Sequence, residues 1–189
     1  MFTNRKLNNI QRLFFIAALV LLTGILAAGF FVQNQIKHTF YLNQQNTLLE
    51  TVNHILPQFP IKELNNRNIP ALKAFSRKIQ RLTQLRMTII SPNGAILADS
   101  NIPASQLPKK DNQNISPDLR EARKTGINIK VERLPLPRAS QLTITRAIYK
   151  GDSLMGFARF RASLEKTERA YRQASRILWG VMLFFLGLS

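Results

Sequence analysis

Leu13 to Val32, LFFIAALVLLTGILAAGFFV, is a run of twenty residues without a charge. A helix rises about 1.5 Å per residue, so this run matches a hydrocarbon core roughly 30 Å thick. Thr23, Gly24 and Gly29 are the only breaks in its apolar character, and a helix satisfies its own backbone in lipid. Ala27-Ala28-Gly29 would suit a cleavage site, but the run is longer than a signal-peptide core. The sequence therefore predicts an uncleaved transmembrane helix at 13–32. Arg5, Lys6 and Arg12 precede it, whereas Lys37 is the only basic residue in the fifteen after it. That asymmetry places residues 1–12 in the cytoplasm and the chain after residue 32 outside.

A second apolar run, ILWGVMLFFLGLS, starts at Ile177 and ends at Ser189. Thirteen residues reach only about 20 Å as helix. The run is apolar on all sides, and Trp179 suits an interface anchor. The expectation is the start of a second transmembrane helix at 177–189, truncated, in the front part of a longer protein or a shortened version of one. Residues 33–176 then form the domain between the two membrane segments.

Net charge is +17 and the pI is near 11.3, a balance that ordinarily suggests nucleic acid. A domain outside the cytoplasm does not meet the genome, so no nucleic-acid partner is expected. Cysteine is absent, which excludes disulfides, thiolate metal sites and a cysteine nucleophile. His38 and His54 are the only histidines, so neither a histidine triad nor a metal site is expected.

Gln33 to Phe59 reads as helix continuing out of the membrane. Tyr41, Gln45, Leu48, Val52, Ile55 and Phe59 form a seam, either for a twin helix or for the domain's own surface. Pro57 and Pro60 end it. Pro70 opens another helix, with Leu72, Phe75, Ile79 and Leu82 as its buried stripe. Lys73, Arg77 and Arg81 recur every four residues on another face. They are candidates for contact with an anionic surface such as lipid headgroups, against the plainer reading of a solvated face.

The period then changes to two. Leu85 to Ile89 and Ala95 to Ser100 read as strands around the turn Ser91-Pro92-Asn93-Gly94. A polar loop spans Asn101 to Ser116, with Pro103, Pro108 and a Lys109-Lys110-Asp111 break. Ser116-Pro117-Asp118 starts a short helix that Gly126 ends. Ile127 to Leu134 alternates, and Pro135 and Pro137 form a loop. Gln141 to Lys150 and Leu154 to Ala162 form a hairpin around Gly151-Asp152-Ser153. Ser163 caps a final helix that runs through Arg176 into the second apolar run. The fold class expected is α+β: a five-stranded antiparallel sheet with flanking helices.

Arg86-Met-Thr-Ile-Ile-Ser-Pro-Asn-Gly-Ala-Ile-Leu-Ala-Asp-Ser100 resembles the hairpin that opens the extracytoplasmic PAS-like sensor domain of bacterial sensor histidine kinases, especially the phosphate-regulon type. Arg86, the turn Asn93-Gly94 and Ala98-Asp99-Ser100 match that pattern. Asp118 to Gly126 is similar to the family's short helix, and Tyr149 to Ala162 to its closing hairpin. The resemblance implies a multi-pass protein of the bacterial inner (plasma) membrane with a periplasmic sensor domain. It also implies a response regulator reached through a kinase core, while two membrane helices per subunit and the seam at 41–59 motivate the expectation of a homodimer. The phosphoacceptor helix and the ATP-binding domain are absent from this sequence. No catalytic residue is therefore expected in this chain, and ATP and Mg belong only to the missing core.

Arg146 shares a strand face with Leu142, Ile144 and Ile148. A guanidinium there needs a partner or must snorkel. Arg146, with Arg86 or Arg159, is the candidate site for a carboxylate or phosphate. The competing reading is an internal salt bridge with Asp99 or a side chain at the sheet rim. Three functions are open to such a chain: signal input to a sensor kinase; the same sensor feeding a chemoreceptor or diguanylate cyclase; or a stand-alone membrane protein that binds anionic lipid or polymer.

Overall fold

A computed structural model describes residues 9–107, 116–132 and 140–187. The elements are α1 (Asn9–Ile55), a 3-10 turn (Leu56–Gln58), α2 (Ile61–Asn65), α3 (Ile69–Thr83), β1 (Arg86–Ile90), β2 (Ile96–Asp99), a second 3-10 turn (Ala104–Gln106), α4 (Pro117–Thr125), β3 (Ile127–Glu132), β4 (Gln141–Lys150), β5 (Ser153–Ser163) and α5 (Glu165–Gly187). The expected Lys109-Lys110-Asp111 break and the Pro135 and Pro137 loop lie outside the described residues. So do the first eight residues, the last two, and the side chains of Asn9, Ile10, Ala104 and all residues beyond Gly180. The chain forms two compact units, Met1–Leu42 with Thr167–Ser189, and Asn43–Lys166.

In the first unit, α1 is the one helix among the described residues that is long and apolar enough to cross a membrane. Its most apolar window has a mean hydropathy of 2.6, and 6% of that window is buried. The leucines and phenylalanines of 13–32 are mostly exposed. Just past this run Gln33 joins α1 to α5. Its Nε2 donates to Tyr171 Oη at 3.0 Å, and its Oε1 accepts from Trp179 Nε1 at 3.1 Å.

The second unit is the expected α+β domain. Its sheet has the order β2-β1-β5-β4-β3 with every neighbour antiparallel. One face is wholly apolar where it is deepest: Met87, Ile89, Ala98, Leu142, Ile144, Ala158 and Phe160 are buried. Helix α3 packs against β1 and β2, and α2 against β5. Gly156 marks the closest approach, since a Cβ there would stand 2.5 Å from the Ile90 carbonyl oxygen and 3.5 Å from Leu64 of α2. Phe59 and Phe75 meet edge to face with ring centroids 5.7 Å apart. Burial on this scale, at about 25 cal/mol per Å² of apolar surface, drives the domain's folding.

The seam of α1 serves this core. Leu48, Val52, Ile55 and Phe59 are all buried within the single chain, so packing of the domain itself accounts for the spacing that also suggested a twin helix. The stripe expected on α3 is corrected. Leu72 and Ile79 are buried with Ser76, whereas Leu82 is 70% exposed. At 100° per residue, Leu72, Ser76, Ile79 and Thr83 centre the buried face, and Leu82 stands roughly 100° from it. The short helix α2 was not expected.

The cap at Gly126 is left-handed, with φ 81°, as its position after the last turn requires. Ser116 departs from expectation: its side chain makes no capping hydrogen bond to α4. Ser163 does serve the final helix, accepting from Glu165 N–H at 3.3 Å.

Candidate functional site

The second face of the sheet is where polar chemistry gathers. Strand alternation puts Arg86, Thr88 and Ile90 of β1 on it, with Phe157, Arg159 and Arg161 of β5. Across β4 and β3 lie Thr143, Thr145 and Ala147, then Asn128 and Lys130. One end of this face is apolar: Ile90 and Phe157 pack with Leu119 and Ala122 of α4, joined by Ile96, Ala147 and Leu154. That cluster seats α4 and brings its first turn over the middle of the sheet.

The middle is a polar row through all five strands, Asp99–Thr88–Arg159–Thr145–Asn128. Arg159 Nη2 donates to Asp118 Oδ2 at 2.6 Å and to Ser116 Oγ at 3.3 Å, and Thr145 donates to Asp118 Oδ2 at 3.2 Å. Ser116 thus works for Arg159 rather than for the helix end. Burial pushes the Asp118 carboxyl up, but the Ser116 hydrogen bond and the Arg159 charge outweigh it and hold the group below its ordinary value.

Asp99 anchors the other end. Arg86 approaches it side-on, with Nε 3.1 Å from both carboxylate oxygens and Nη2 3.0 Å from Oδ2. Thr88 donates to Oδ2 at 2.7 Å, and the backbone N–H groups of Asn101 and Ile102 donate to Oδ1 at 2.9 and 3.3 Å. Burial raises this carboxyl too, and the bonds from Arg86, Thr88 and Asn101 bring it net below the ordinary range. Asp99 is therefore a turn-stabilising acceptor. Lys73 reaches the same turn from α3, donating to the carbonyls of Asp99 and Ile102.

The next row is Arg86–Arg161–Thr143–Lys130. Arg161 makes no ion pair among the described residues. Its own burial, then the charges of Arg159 and Arg86, lower its pKa. Among the described residues three buried polar atoms of this face lack a partner: Arg159 Nε, Thr143 Oγ1 and Asn128 Oδ1. All three residues lie on this face, where the guanidiniums of Arg86, Arg159 and Arg161 and the Lys130 ammonium meet the carboxylates of Asp99, Asp118 and Glu132; Lys130 pairs with Glu132 at 3.3 Å, so one guanidinium is in excess, with a hydroxyl and an amide oxygen to spare. Such a surface can hold an oxyanion by forked donors. Among the described residues nothing groups three metal-ligating side chains.

The structure separates the residues expected to act together. Arg86 and Arg159 share the α4 side of the sheet, each already paired with an aspartate. Arg146 pairs in register with Ala158 and so belongs to the opposite face, with Leu142 and Ile144. It is corrected out of the trio. The helix residues Lys73, Arg77 and Arg81 are also divided. Lys73 is buried, with its ammonium on backbone carbonyls, while Arg77 and Arg81 are exposed and joined by Lys78. Sequence reasoning missed Arg161, Thr143, Asn128 and Asp118. The alternation in Phe157-Ala-Arg-Phe-Arg161 was a signal for Arg161; nothing local marked the others.

This fold is that of extracytoplasmic sensory domains. The ligand-binding domain of the Campylobacter jejuni chemoreceptor Tlp3, solved with L-valine, superposes with a TM-score of 0.57 at 16% identity, over 79% of this chain and 65% of that one. The E. coli DcuS sensor domain gives 0.50 at 14% identity, over 71% of this chain and 96% of the domain. The extracellular domain of vpHK1S-Z8, described as a histidine kinase, gives 0.51 at 16% identity, over 77% and 60%. The chain thus spans about two thirds or less of the Tlp3 and vpHK1S-Z8 domains. No protein-family model matches the sequence, and no curated protein matches it.

Proposed function

We propose that this chain is the signal-input region of a membrane sensor histidine kinase. In this reading residues 1–12 are cytoplasmic, 13–32 and the run from 177 are spanning helices, and the domain between them lies in the periplasm. A small oxyanion, carboxylate or phosphate, binds on the α4 side of the sheet between Arg161, Arg86 and Arg159. Occupancy changes how β5 hands over to α5, and a coupling of about 1–3 kcal/mol is enough to bias an output. The chain works as a homodimer, and a kinase core beyond it phosphorylates a response regulator. The phosphate-regulon resemblance of the Arg86–Ser100 hairpin favours this output.

The carrying observation is the excess guanidinium of Arg161 beside the unpartnered Thr143 hydroxyl on a sensor-type sheet. The test joins residues 1–189 to a histidine-kinase core and measures autophosphorylation in vesicles against phosphate, citrate and succinate. A response to one of them that Arg161→Gln removes is expected. Indifference to all of them, or a response unchanged in the variant, overturns the binding site. A reporter enzyme fused after residue 107 that is active only in the cytoplasm overturns the topology.

A second reading, supported by the Tlp3 likeness, keeps the same sensor and gives it a chemoreceptor output; a diguanylate cyclase output belongs with it. A chimera with a chemoreceptor signalling domain that responds to the anion where the kinase chimera does not would decide for it.

A further inference from the structure

We propose that the outer face of α3, with the groove beside it, is a binding site for one anionic amphiphile of the phospholipid type. This site is separate from the sheet-face site and does not depend on it. Helix α3 carries Lys73, Arg77, Lys78 and Arg81 and no acidic residue. With Lys73 turned inward, the other three stand exposed, and none of them is in an ion pair among the described residues. Together with Ala74 and Leu82 they line a dent of about 360 Å³.

Leu82 is also the wall of a second hollow, of about 370 Å³, lined by Gln44, Thr47, Leu48, Thr51, Leu82, Thr83, Leu85 and Ala162. No charged residue is among them. Its threonines use their hydroxyls on their own helices: Thr47 donates to Asn43 C=O, Thr51 to Thr47 C=O and Thr83 to Ile79 C=O, at 2.9, 2.8 and 2.7 Å. What remains at the surface is leucine, alanine and threonine methyl groups, with the Gln44 amide among them. A cationic dent and an uncharged groove therefore share one exposed leucine as a common ridge. That pairing matches a ligand with a phosphate at one end and an alkyl chain at the other. Both hollows fall in the lower range of small-ligand sites, roughly 300–1,000 Å³.

Charge complementarity selects among occupants. A second copy meeting this face symmetrically would set three cations against three, which repels. Free phosphate would use only the cationic dent. It would gain little there, because exposed ion pairs are worth about 0–1 kcal/mol. A phosphate carrying an alkyl chain adds the burial of the groove.

The absence of cysteine makes the test direct. The chain of residues 1–189 in nonionic detergent carries a single reporter, Ala74→Cys in the cationic dent or Thr47→Cys in the groove, and the rate of maleimide labelling is measured. Dioctanoyl phosphatidate should slow labelling several-fold at both reporters, and Arg77→Gln with Arg81→Gln should abolish both effects. Dioctanoyl phosphatidylcholine and inorganic phosphate should leave both rates unchanged. Equal protection by phosphate or by polyglutamate at Ala74→Cys makes the face a plain anion or acidic-polypeptide site and overturns the proposal. Equal protection by the zwitterionic lipid overturns it as unspecific adsorption. Protection that rises with protein concentration alone assigns the face to a second copy, and no protection by phosphatidate rejects the site.

Discussion

Arg86 and Arg161 lie directly opposite each other in the β1–β5 ladder, and among the described residues only Arg86 of the two is in an ion pair with a carboxylate. Like charges directly opposite on a sheet face destabilise it by a fraction of a kcal/mol. The fold tolerates this because Asp99 neutralises one guanidinium and leaves the other as a standing positive charge. Arg161→Gln is expected to fold with a stability within about 0.5 kcal/mol of the wild type, or slightly above it. It should at the same time lose any stabilisation by the anion. Calorimetry with and without the anion that the wild type binds reads both effects. Arg161→Lys should restore the charge but not the fork, and so recover binding only in part.

Asp99 is the structural counterpart. Replacing it with asparagine leaves Arg86, a third exposed, without its carboxylate, and weakens the caps on Asn101 and Ile102. The expected cost is about 2–4 kcal/mol, less than for a fully buried pair. Urea midpoints of Asp99→Asn against the wild type measure it, and a loss under half a kcal/mol would contradict the pairing.

The same two aspartates set an acid limit. Asp99 and Asp118 are both held below their ordinary pKa in the folded state. Their stabilisation is therefore complete above the unfolded-state value of about 3.9, and is lost as pH falls from there toward the folded-state values. The wild type should lose stability steeply below about pH 4, while Asp99→Asn and Asp118→Asn each flatten that fall. Urea midpoints measured across the acid range check the slope.

Gly156 is required by space. A Cβ would sit 2.5 Å from the Ile90 carbonyl oxygen, a backbone atom fixed by the β1–β5 ladder. Gly156→Ala must push β5 from β1 and is expected to cost about 1–3 kcal/mol. Thermal unfolding of the variant checks this.

Leu72 and Leu82 look equivalent in the helical stripe and are not. Leu72 is fully buried and Leu82 is 70% exposed. Leu72→Ala should cost about 2–4 kcal/mol, whereas Leu82→Ala should stay within about 0.5. The same denaturation series separates them.

Legibility in the sequence depended on which interactions are local. The strand Gln141–Lys150 was readable to the residue, as were the Gly126 cap and the helix that continues from the apolar run. The site was not. In the β4–β5 hairpin, Lys150 pairs with Ser153 and Tyr149 with Leu154, but a bulge then moves Ile148 onto Gly156. Counting back from the turn without that bulge would set Thr143 against Phe160 instead of Arg161. One extra residue, Met155, thus decides which partners share a face.

The sequence by itself determined the membrane-compatible run, the order of the strands and of every helix but the short α2, and the turns of the two hairpins. Chain length, side-chain periodicity and the φ demands of glycine and proline act within a few residues. Only the tertiary structure decided that Arg159 meets Asp118, that Arg146 lies on the other side of the sheet, and that Arg161 has no carboxylate of its own among the described residues. Those outcomes depend on register parity and on through-space pairing between segments far apart in the chain. No local pattern carries that information.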